Sequence, residues 1–133
     1  MSLDANVRDF LNEQRFAVLA TINADGSPQL TVMWYELRDD MIVLNTTLSR
    51  VKGKNLQRDP RISICVEDDY RYVTISGVAT LNDEQATAQA DIRALAIRYH
   101  GQEAGARQAD EVFAGQQRVS IYLPTTHVVA KWS

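Results

Sequence analysis

The stretch that decides the fold is Phe16–Leu37, which reads FAVLATINADGSPQLTVMWYEL. Its side chains alternate with a period of two, the spacing typical of β-strands. Asp25 and Gly26 lie at its centre between apolar residues, the pattern of a hairpin turn. The stretch therefore predicts two paired antiparallel strands, Phe16–Asn23 and Gln29–Leu37.

Outward from this hairpin the chain alternates between strand and helix patterns. Further strands are predicted at Met41–Thr46, Arg61–Glu67, Tyr72–Leu81, Arg118–Leu123 and His127–Trp132. Helices are predicted after Asp4, over Leu48–Asp59, from Asn82 or Asp83 to Gly101, and more weakly over Ala104–Ala114.

We expect these strands to form one antiparallel sheet of six or seven strands, with the first three in a meander. Gly77, within the fifth strand, indicates a bulge or bend. Because open sheet edges promote aggregation, a sheet of this size tends to close. The predicted fold class is mainly β (α+β), a small six-stranded antiparallel β-barrel with two to four helices outside it.

Composition limits what this molecule can be. The chain has 133 residues, the size of one domain (1–133), with 45% hydrophobic and 23% charged residues. No apolar run is long enough to span a membrane and no export signal is seen, so we expect a cytoplasmic protein. A net charge of −3 argues against nucleic acid as a partner. A domain this small has little room for a deep pocket, which favours a site completed by a second copy.

Hydrolytic and metal-dependent chemistry are not favoured by the residue inventory. The histidines are His100 and His127, and the one cysteine, Cys65, is expected to be a small buried residue. No nucleophile elbow, phosphate-binding glycine loop or metal-ligand spacing is present.

The strongest local signal is the basic segment TTLSRVKGKN, Thr46–Asn55. Four cations, Arg50, Lys52, Lys54 and Arg58, fall within nine residues of an acidic chain. Beside them are the Ser49 hydroxyl and the free N–H groups of a helix start, which together favour an anion such as phosphate. If the helix begins near Lys52, then Arg50 and Lys52 can hold one phosphate while Lys54 and Arg58 face outward. The alternative is a solvated basic helix face.

Two aromatic positions and the chain end are further candidates. Trp34 and Tyr35 point to opposite faces of a strand, so one fills the core while the other covers a flat ligand or a subunit interface. Packing of both in the core is the alternative. At the end of the chain, His127, Lys131 and Trp132 either line a pocket or simply finish the last strand.

Two motifs together resemble a known family. They are LATINADGSPQLTVMWYE, Leu19–Glu36, and the pattern TxxSRxKxxNLxRDPR at Thr46–Arg61. The chain resembles the pyridoxamine 5′-phosphate oxidase-like family of flavin-binding split barrels, and within it the deazaflavin-dependent oxidoreductases. The resemblance implies a six-stranded split barrel that forms a homodimer, with two cofactor sites across the dimer interface.

The resemblance also implies which residues bind the cofactor. The phosphate would lie against Arg50, Lys52 and Lys54, and the partner's C-terminal strand would close the pocket. The full set of cofactor-binding candidates is Gln29, Met33, Trp34, Asn45, Thr46, Thr47, Ser49, Arg50, Lys52, Lys54, Asn55, Lys131 and Trp132. The chain lacks the C-terminal extension with which the oxidases grip the vitamin phosphate, so that vitamin is not the expected substrate.

The activity implied is hydride transfer between coenzyme F420 and an electron-poor small molecule. Lys54, Arg58 and Arg61 extend the basic segment and suit the carboxylate tail of this deazaflavin. Tyr35, His127 or water would supply the proton. The alternatives are an FMN-dependent reductase of the same fold and a non-catalytic protein that binds flavin or haem.

Overall fold

The computed structural model describes residues 3–132, which form nine strands, four α-helices and a short 3₁₀ turn. The strands are β1 (Ala17–Ile22), β2 (Pro28–Met33), β3 (Glu36–Arg38), β4 (Met41–Thr47), β5 (Arg61–Asp68), β6 (Arg71–Val78), β7 (Thr80–Asn82), β8 (Arg118–Pro124) and β9 (His127–Lys131). The helices are α1 (Ala5–Asn12), α2 (Val51–Arg58), α3 (Gln85–His100) and α4 (Gln102–Glu111), and Phe113–Gly115 forms the 3₁₀ turn.

The strands form two antiparallel sheets and not the single sheet predicted. One has the order β2-β1-β5-β6-β9 and the other β3-β4-β8-β7. The mainly antiparallel α+β class is confirmed, and the hairpin at Asp25-Gly26 pairs β1 with β2 from Ala17↔Met33 to Ile22↔Pro28. Closure of the sheets into a barrel stays a prediction.

The predicted strand Gln29–Leu37 is wrong as an unbroken element, because the chain changes sheet at Trp34 and Tyr35. The backbone of Tyr35 bonds to α3 instead of to a strand. Its N–H donates to the Tyr99 hydroxyl at 3.1 Å, and its carbonyl accepts from Arg98 Nε at 2.9 Å. The predicted three-stranded meander is therefore interrupted after β2.

The predicted strand Tyr72–Leu81 is divided in the same way. The break lies at Ala79, whose N–H donates to the Pro60 carbonyl at 2.8 Å, while Gly77 remains paired with Ile62 in the five-stranded sheet. The bend predicted from Gly77 therefore falls two residues later. A third change of sheet, between β8 and β9, follows Pro124.

The core lies between the sheets and under α1. It contains the inward residues of both sheets, among them Leu19, Ile64, Ile75, Leu44 and Ile121. The opposite face of the five-stranded sheet presents exposed apolar side chains, namely Val18, Leu30, Val32 and Val129 with the adjoining Phe16. Cys65 lies on this outer face, where it pairs with Val18. It is half-buried, so the expectation of a buried residue is wrong.

Local signals at the helix ends explain where the helices start and stop. The Asp4 carboxylate accepts from the Asn6 N–H at 2.9 Å and caps α1, as predicted. Gly101 ends α3 with a φ of 91°, a conformation that glycine adopts without strain. None of the helices within residues 3–132 combines the length and the apolarity needed to cross a bilayer.

Candidate functional site

The basic segment forms the passage from β4 into α2. Arg50 is extended, with a φ of −77° and a ψ of 160°, and the helix begins at Val51. A turn closes before it, in which the Arg50 N–H donates to the Thr47 carbonyl at 3.3 Å. The Thr47 and Ser49 hydroxyls are 3.3 Å apart. This is the arrangement predicted for a helix that begins near Lys52, with Arg50 on an extended lead-in.

Gly53 lets α2 pack against the end of β4. A Cβ at this position would lie 2.5 Å from the Thr47 carbonyl oxygen and 3.0 Å from Leu48 Cα. Real Cβ atoms do not approach a backbone so closely, so any other residue would push the first turn of the helix away. The glycine therefore fixes the distance between the helix start and the strand end.

Lys52 is the most buried cation of the basic segment, with only 6% of its surface exposed. Burial lowers the pKa of its ammonium, and the nearby positive charges of Arg50 and Arg118 lower it further. Within residues 3–132 no carboxylate lies within salt-bridge distance of any of these three groups. The helix entry is thus a concentration of uncompensated positive charge.

Arg118, at the start of β8, is not among the residues that the sequence predicts for this site. It is 4% exposed, and its Nε donates to Asn45 Oδ1 at 2.8 Å and its Nη1 to Gln116 Oε1 at 2.6 Å. Its guanidinium lies 4.8 Å from the Phe113 ring centroid. Burial, and then the charge of Arg50, lowers the pKa of Arg118 to about 10. The available signal was a cation opening the apolar strand Arg118–Leu123.

An open groove of about 600 Å³ lies beside these cations. Its lining comes from two segments, Thr47–Arg50 on one side and Gln116 with Gln117 on the other. Gln116 also accepts from Arg118, so this buried cation adjoins the groove although it does not line it. Its chemistry suits an anion with several oxygen acceptors.

An aromatic cluster adjoins the cations. The Trp34 ring stacks on Tyr99, with centroids 5.3 Å apart and an interplanar angle of 11°. The edges of His100 and Phe113 meet it at 5.1 and 6.2 Å. Since Phe113 also lies under the Arg118 guanidinium, apolar rings continue from the anion groove to Trp34. Trp34 remains half-buried, in contrast to its neighbour Tyr35.

Tyr35, one of the two candidate proton donors, lies in the core. It is fully buried, and its hydroxyl donates to the Leu11 carbonyl at 2.8 Å. Burial raises the pKa of this hydroxyl to about 12. The side chain therefore supports the fold and does not reach a ligand at the surface. The second candidate donor, His127, is exposed on β9.

Several predicted cofactor residues are engaged inside the protein. Asn45 donates from Nδ2 to the Ala88 carbonyl at 2.9 Å and to Ser120 Oγ at 3.2 Å. Met33 and Thr46 are buried, and the Thr46 hydroxyl has no hydrogen-bond partner within residues 3–132. These side chains are buried in the protein and do not line the groove.

Asn55 and Gln29 belong to the contact between α2 and the hairpin. Asn55 donates from Nδ2 to Thr21 Oγ1 and to Asn23 Oδ1, both at 3.0 Å. Gln29 Oε1 accepts from Thr21 Oγ1 at 3.1 Å. Both amides therefore tie the helix and the second strand to β1.

The C-terminal candidates are not brought to the basic segment within one chain. Lys131 pairs with Tyr72, and Trp132 packs on Phe10 of α1 with ring centroids 5.4 Å apart. The helix α2 leads instead into Arg61, at the other end of β5. At 3.3 Å per residue, these ends of the five-stranded sheet are about 20 Å apart.

The outer cations of the basic segment differ in how far they are engaged. Arg61 pairs with Asp59 at 2.6 Å, and Arg58 donates to the Ile22 carbonyl and to Asn55. Lys54 is exposed and makes no salt bridge within the described part of the chain. Fewer cations than the sequence suggests are therefore available to a carboxylate tail.

Comparison with known proteins identifies the family. A family model described as pyridoxamine 5′-phosphate oxidase matches residues 3–123. The chain belongs to this family. A conserved hypothetical protein of Mycobacterium tuberculosis, Rv2991, is 31% identical over 98% of this chain and 84% of its own, with a TM-score of 0.82. Two further solved structures match at lower sequence identity.

These two structures are similar in fold. One, described as an F420 reductase, is 23% identical, with 96% of this chain and 98% of the other covered and a TM-score of 0.76. The other is HutZ, a haem storage protein of Vibrio cholerae, which is 17% identical, with 98% and 96% covered and a TM-score of 0.72.

Proposed function

We propose that this protein is an oxidoreductase that transfers a hydride between a deazaflavin of the coenzyme F420 type and an electron-poor small molecule. The observation that carries the proposal is the pair of buried, uncompensated cations beside the start of α2, Lys52 and Arg118. A buried ammonium without a counter-ion is unfavourable, so Lys52 favours a ligand that brings negative charge. For a member of the pyridoxamine 5′-phosphate oxidase family, the phosphate of a flavin-type cofactor would supply that charge.

The residues of the site fit both ends of such a cofactor. Arg50, Lys52 and the first N–H groups of α2 offer charge-assisted donors to a phosphate oxygen. Trp34 and Phe113 offer aromatic surface next to these cations, since Phe113 contacts the Arg118 guanidinium. A planar ring joined to a phosphate by a short chain matches this order of polar and apolar surface.

The chain's own residues would bind, orient and shield the reactants. When bound, a deazaflavin supplies or accepts the hydride, so the protein needs no nucleophile of its own. The cations fix the phosphate end and thereby the position of the ring. Since Tyr35 is enclosed in the core, His127 or water remains as the source of a proton.

We further propose that a second copy of the chain completes the site. The outer face of the five-stranded sheet is exposed and apolar around Val18, Leu30 and Val32. Packing two such faces together would remove this surface from water. It would also allow Lys131 and Trp132 of one chain to approach the basic segment of the other.

FMN is the alternative cofactor, and one observation favours it. Arg61 is paired with Asp59, and Arg58 is bound to a backbone carbonyl. These contacts leave Lys54 as the outward cation for a tail, which suits a ligand that ends in one phosphate. A non-catalytic flavin or haem carrier is the remaining alternative, and turnover distinguishes it from both enzymes.

A titration with matched variants tests the proposal. Wild type, Lys52→Met and Lys54→Met are titrated with F420 and with FMN, and oxidation of the reduced cofactor is followed with enone and quinone acceptors. We expect micromolar binding by wild type, at least tenfold weaker binding by Lys52→Met and less than threefold loss for Lys54→Met. Binding weaker than millimolar for both cofactors would remove the proposal, and tight binding without turnover would favour the carrier.

A further inference from the structure

Arg118 carries a buried charge that its protein contacts do not neutralise. Its Nε and Nη1 donate to the amide oxygens of Asn45 and Gln116, both of them neutral groups. Its Nη2 donates no hydrogen bond within residues 3–132. A guanidinium has five N–H donors, so these two bonds leave most of them unused.

The buried carboxylate of this region does not serve as the missing counter-ion. Asp91, on α3, pairs with Arg38 at 2.8 Å and accepts from Ser120 Oγ at 2.7 Å and Tyr122 at 2.5 Å. Its carboxylate oxygens are therefore engaged by other groups, and within residues 3–132 it forms no salt bridge with Arg118. An enclosed guanidinium without a counter-ion is unfavourable, so Arg118 calls for an anion from outside the chain.

We propose that Arg118 is a direct ligand of the bound anion and forms, with Lys52, the buried floor of a phosphate site. Arg50, which is exposed, stands at its rim, and Gln116 joins the floor to the groove wall. The inference rests on the proposed function, because it assigns a third binding group to the same site. The chemical class is a phosphate group, whether free or part of a cofactor.

Asn45 and Gln116 act as positioning residues in this account. Asn45 is itself held by the Ala88 carbonyl and by Ser120, whose hydroxyl bonds to Asp91. A chain of hydrogen bonds thus runs from α3 to the guanidinium and sets its orientation. Because the contacts made by Arg118 are to amides, its orientation is fixed while its charge stays available.

Two glutamines allow a matched test. Gln116→Glu places a carboxylate on Arg118 Nη1, where the side chain already accepts a hydrogen bond. Gln102→Glu adds the same charge at the exposed start of α4, outside the groove and away from Arg118. Arg118→Met removes the charge and keeps an apolar side chain against Phe113. The probe is inorganic phosphate at constant ionic strength, and the readout is the rise in the midpoint of thermal unfolding.

We expect phosphate to stabilise wild type and Gln102→Glu with dissociation constants within threefold of each other. In Gln116→Glu the constant should rise at least tenfold, and Arg118→Met should unfold at or above the phosphate-free wild-type temperature and gain nothing from phosphate. Equal losses in the two glutamate variants, or no stabilisation of wild type, would overturn the inference. If Arg118→Met does not fold, the pair of glutamate variants still decides.

The outcome is separable from that of the proposed function. One outcome is that phosphate stabilisation is lost only in Gln116→Glu while wild type shows no flavin turnover. This result supports the assignment of Arg118 as a ligand and removes the proposed enzyme. The other outcome is that wild type turns over flavin and that Gln116→Glu changes neither the turnover nor the affinity. This result supports the enzyme and removes Arg118 as a ligand.

Discussion

Individual residues divide into those that hold the fold and those that carry free charge. Tyr35 and Trp34 are adjacent in the sequence, yet one is enclosed and the other stays half-buried beside the cations. Alternation along a strand predicts that they point to opposite sides, but it does not tell which side is the core. That assignment comes from α3, whose Tyr99 and Arg98 bind the Tyr35 backbone.

Tyr35→Phe separates a structural role from a catalytic one. Loss of the bond to the Leu11 carbonyl should lower the free energy of unfolding by about 1 kcal/mol. Because burial raises the pKa of Tyr35 to about 12, its stabilising effect is complete below pH 10 and is lost as the pH rises towards 12. Urea unfolding at several pH values measures both effects. A collapse of turnover at unchanged stability would return Tyr35 to the catalytic candidates.

Asp91, on α3, accepts hydrogen bonds from Ser120 and Tyr122 of β8 and so joins the helix to the strand. Burial by itself would raise the pKa of its carboxyl, but hydrogen bonds from Tyr122, Ser120 and Arg38 outweigh it and lower the pKa. Asp91→Asn should therefore cost roughly 2–3 kcal/mol in unfolding free energy near neutral pH.

The pH dependence gives the control for this variant. A lowered pKa in the folded state means that the stabilisation is present above about pH 4 and is lost as the pH falls through the folded-state pKa. The difference between wild type and Asp91→Asn should shrink below pH 4. A difference that stays constant down to pH 2 would contradict a role for the ionised carboxylate.

At the scale of elements, the first turn of α2 depends on its close approach to β4. Gly53→Ala should destabilise the protein by roughly 1–3 kcal/mol, because a Cβ would meet the Thr47 carbonyl. Gly115→Ala is the control, since a Cβ there meets nothing within 4 Å. Urea unfolding measures both, and phosphate binding should weaken only for Gly53→Ala. Equal stabilities for the two variants would show that α2 is not held by this contact.

The strand and helix patterns predict most of the elements, but they do not predict which sheet each strand joins. Period-two alternation correctly located the hairpin, and a capping aspartate and a terminal glycine located α1 and the end of α3. The breaks at Trp34–Tyr35 and Ala79 were missed because both depend on backbone bonds to distant partners, such as Pro60. Local periodicity reflects only neighbouring residues and therefore does not indicate these distant partners.

The candidate site was foreseen only where its residues are contiguous. The segment Thr46–Asn55 is predicted because its charges are clustered, whereas Arg118 lies far along the chain and joins them by pairing of β4 with β8. Asn45 and Asn55 matched the family pattern, yet both are engaged internally. A motif shows that a residue matches the family pattern, and it does not show which surface the side chain faces.

At the scale of the whole molecule, the exposed sheet face predicts self-association. Val32→Asp places a charge in the centre of this face and should shift the protein from dimer to monomer in sedimentation velocity experiments. Val112→Asp, an exposed valine outside the face, should leave the dimer unchanged. A wild type that sediments as a monomer at tens of micromolar would contradict the proposed second copy.

The most direct measurement is a crystal structure of the protein soaked with F420, and in parallel with FMN. We predict a phosphate within hydrogen-bond distance of Lys52 Nζ and Arg118 Nη2, with the ring extending towards Trp34. A cofactor bound against Trp132 and α1 and not at the basic segment, or no cofactor in a lattice that leaves the basic segment open, would contradict this prediction.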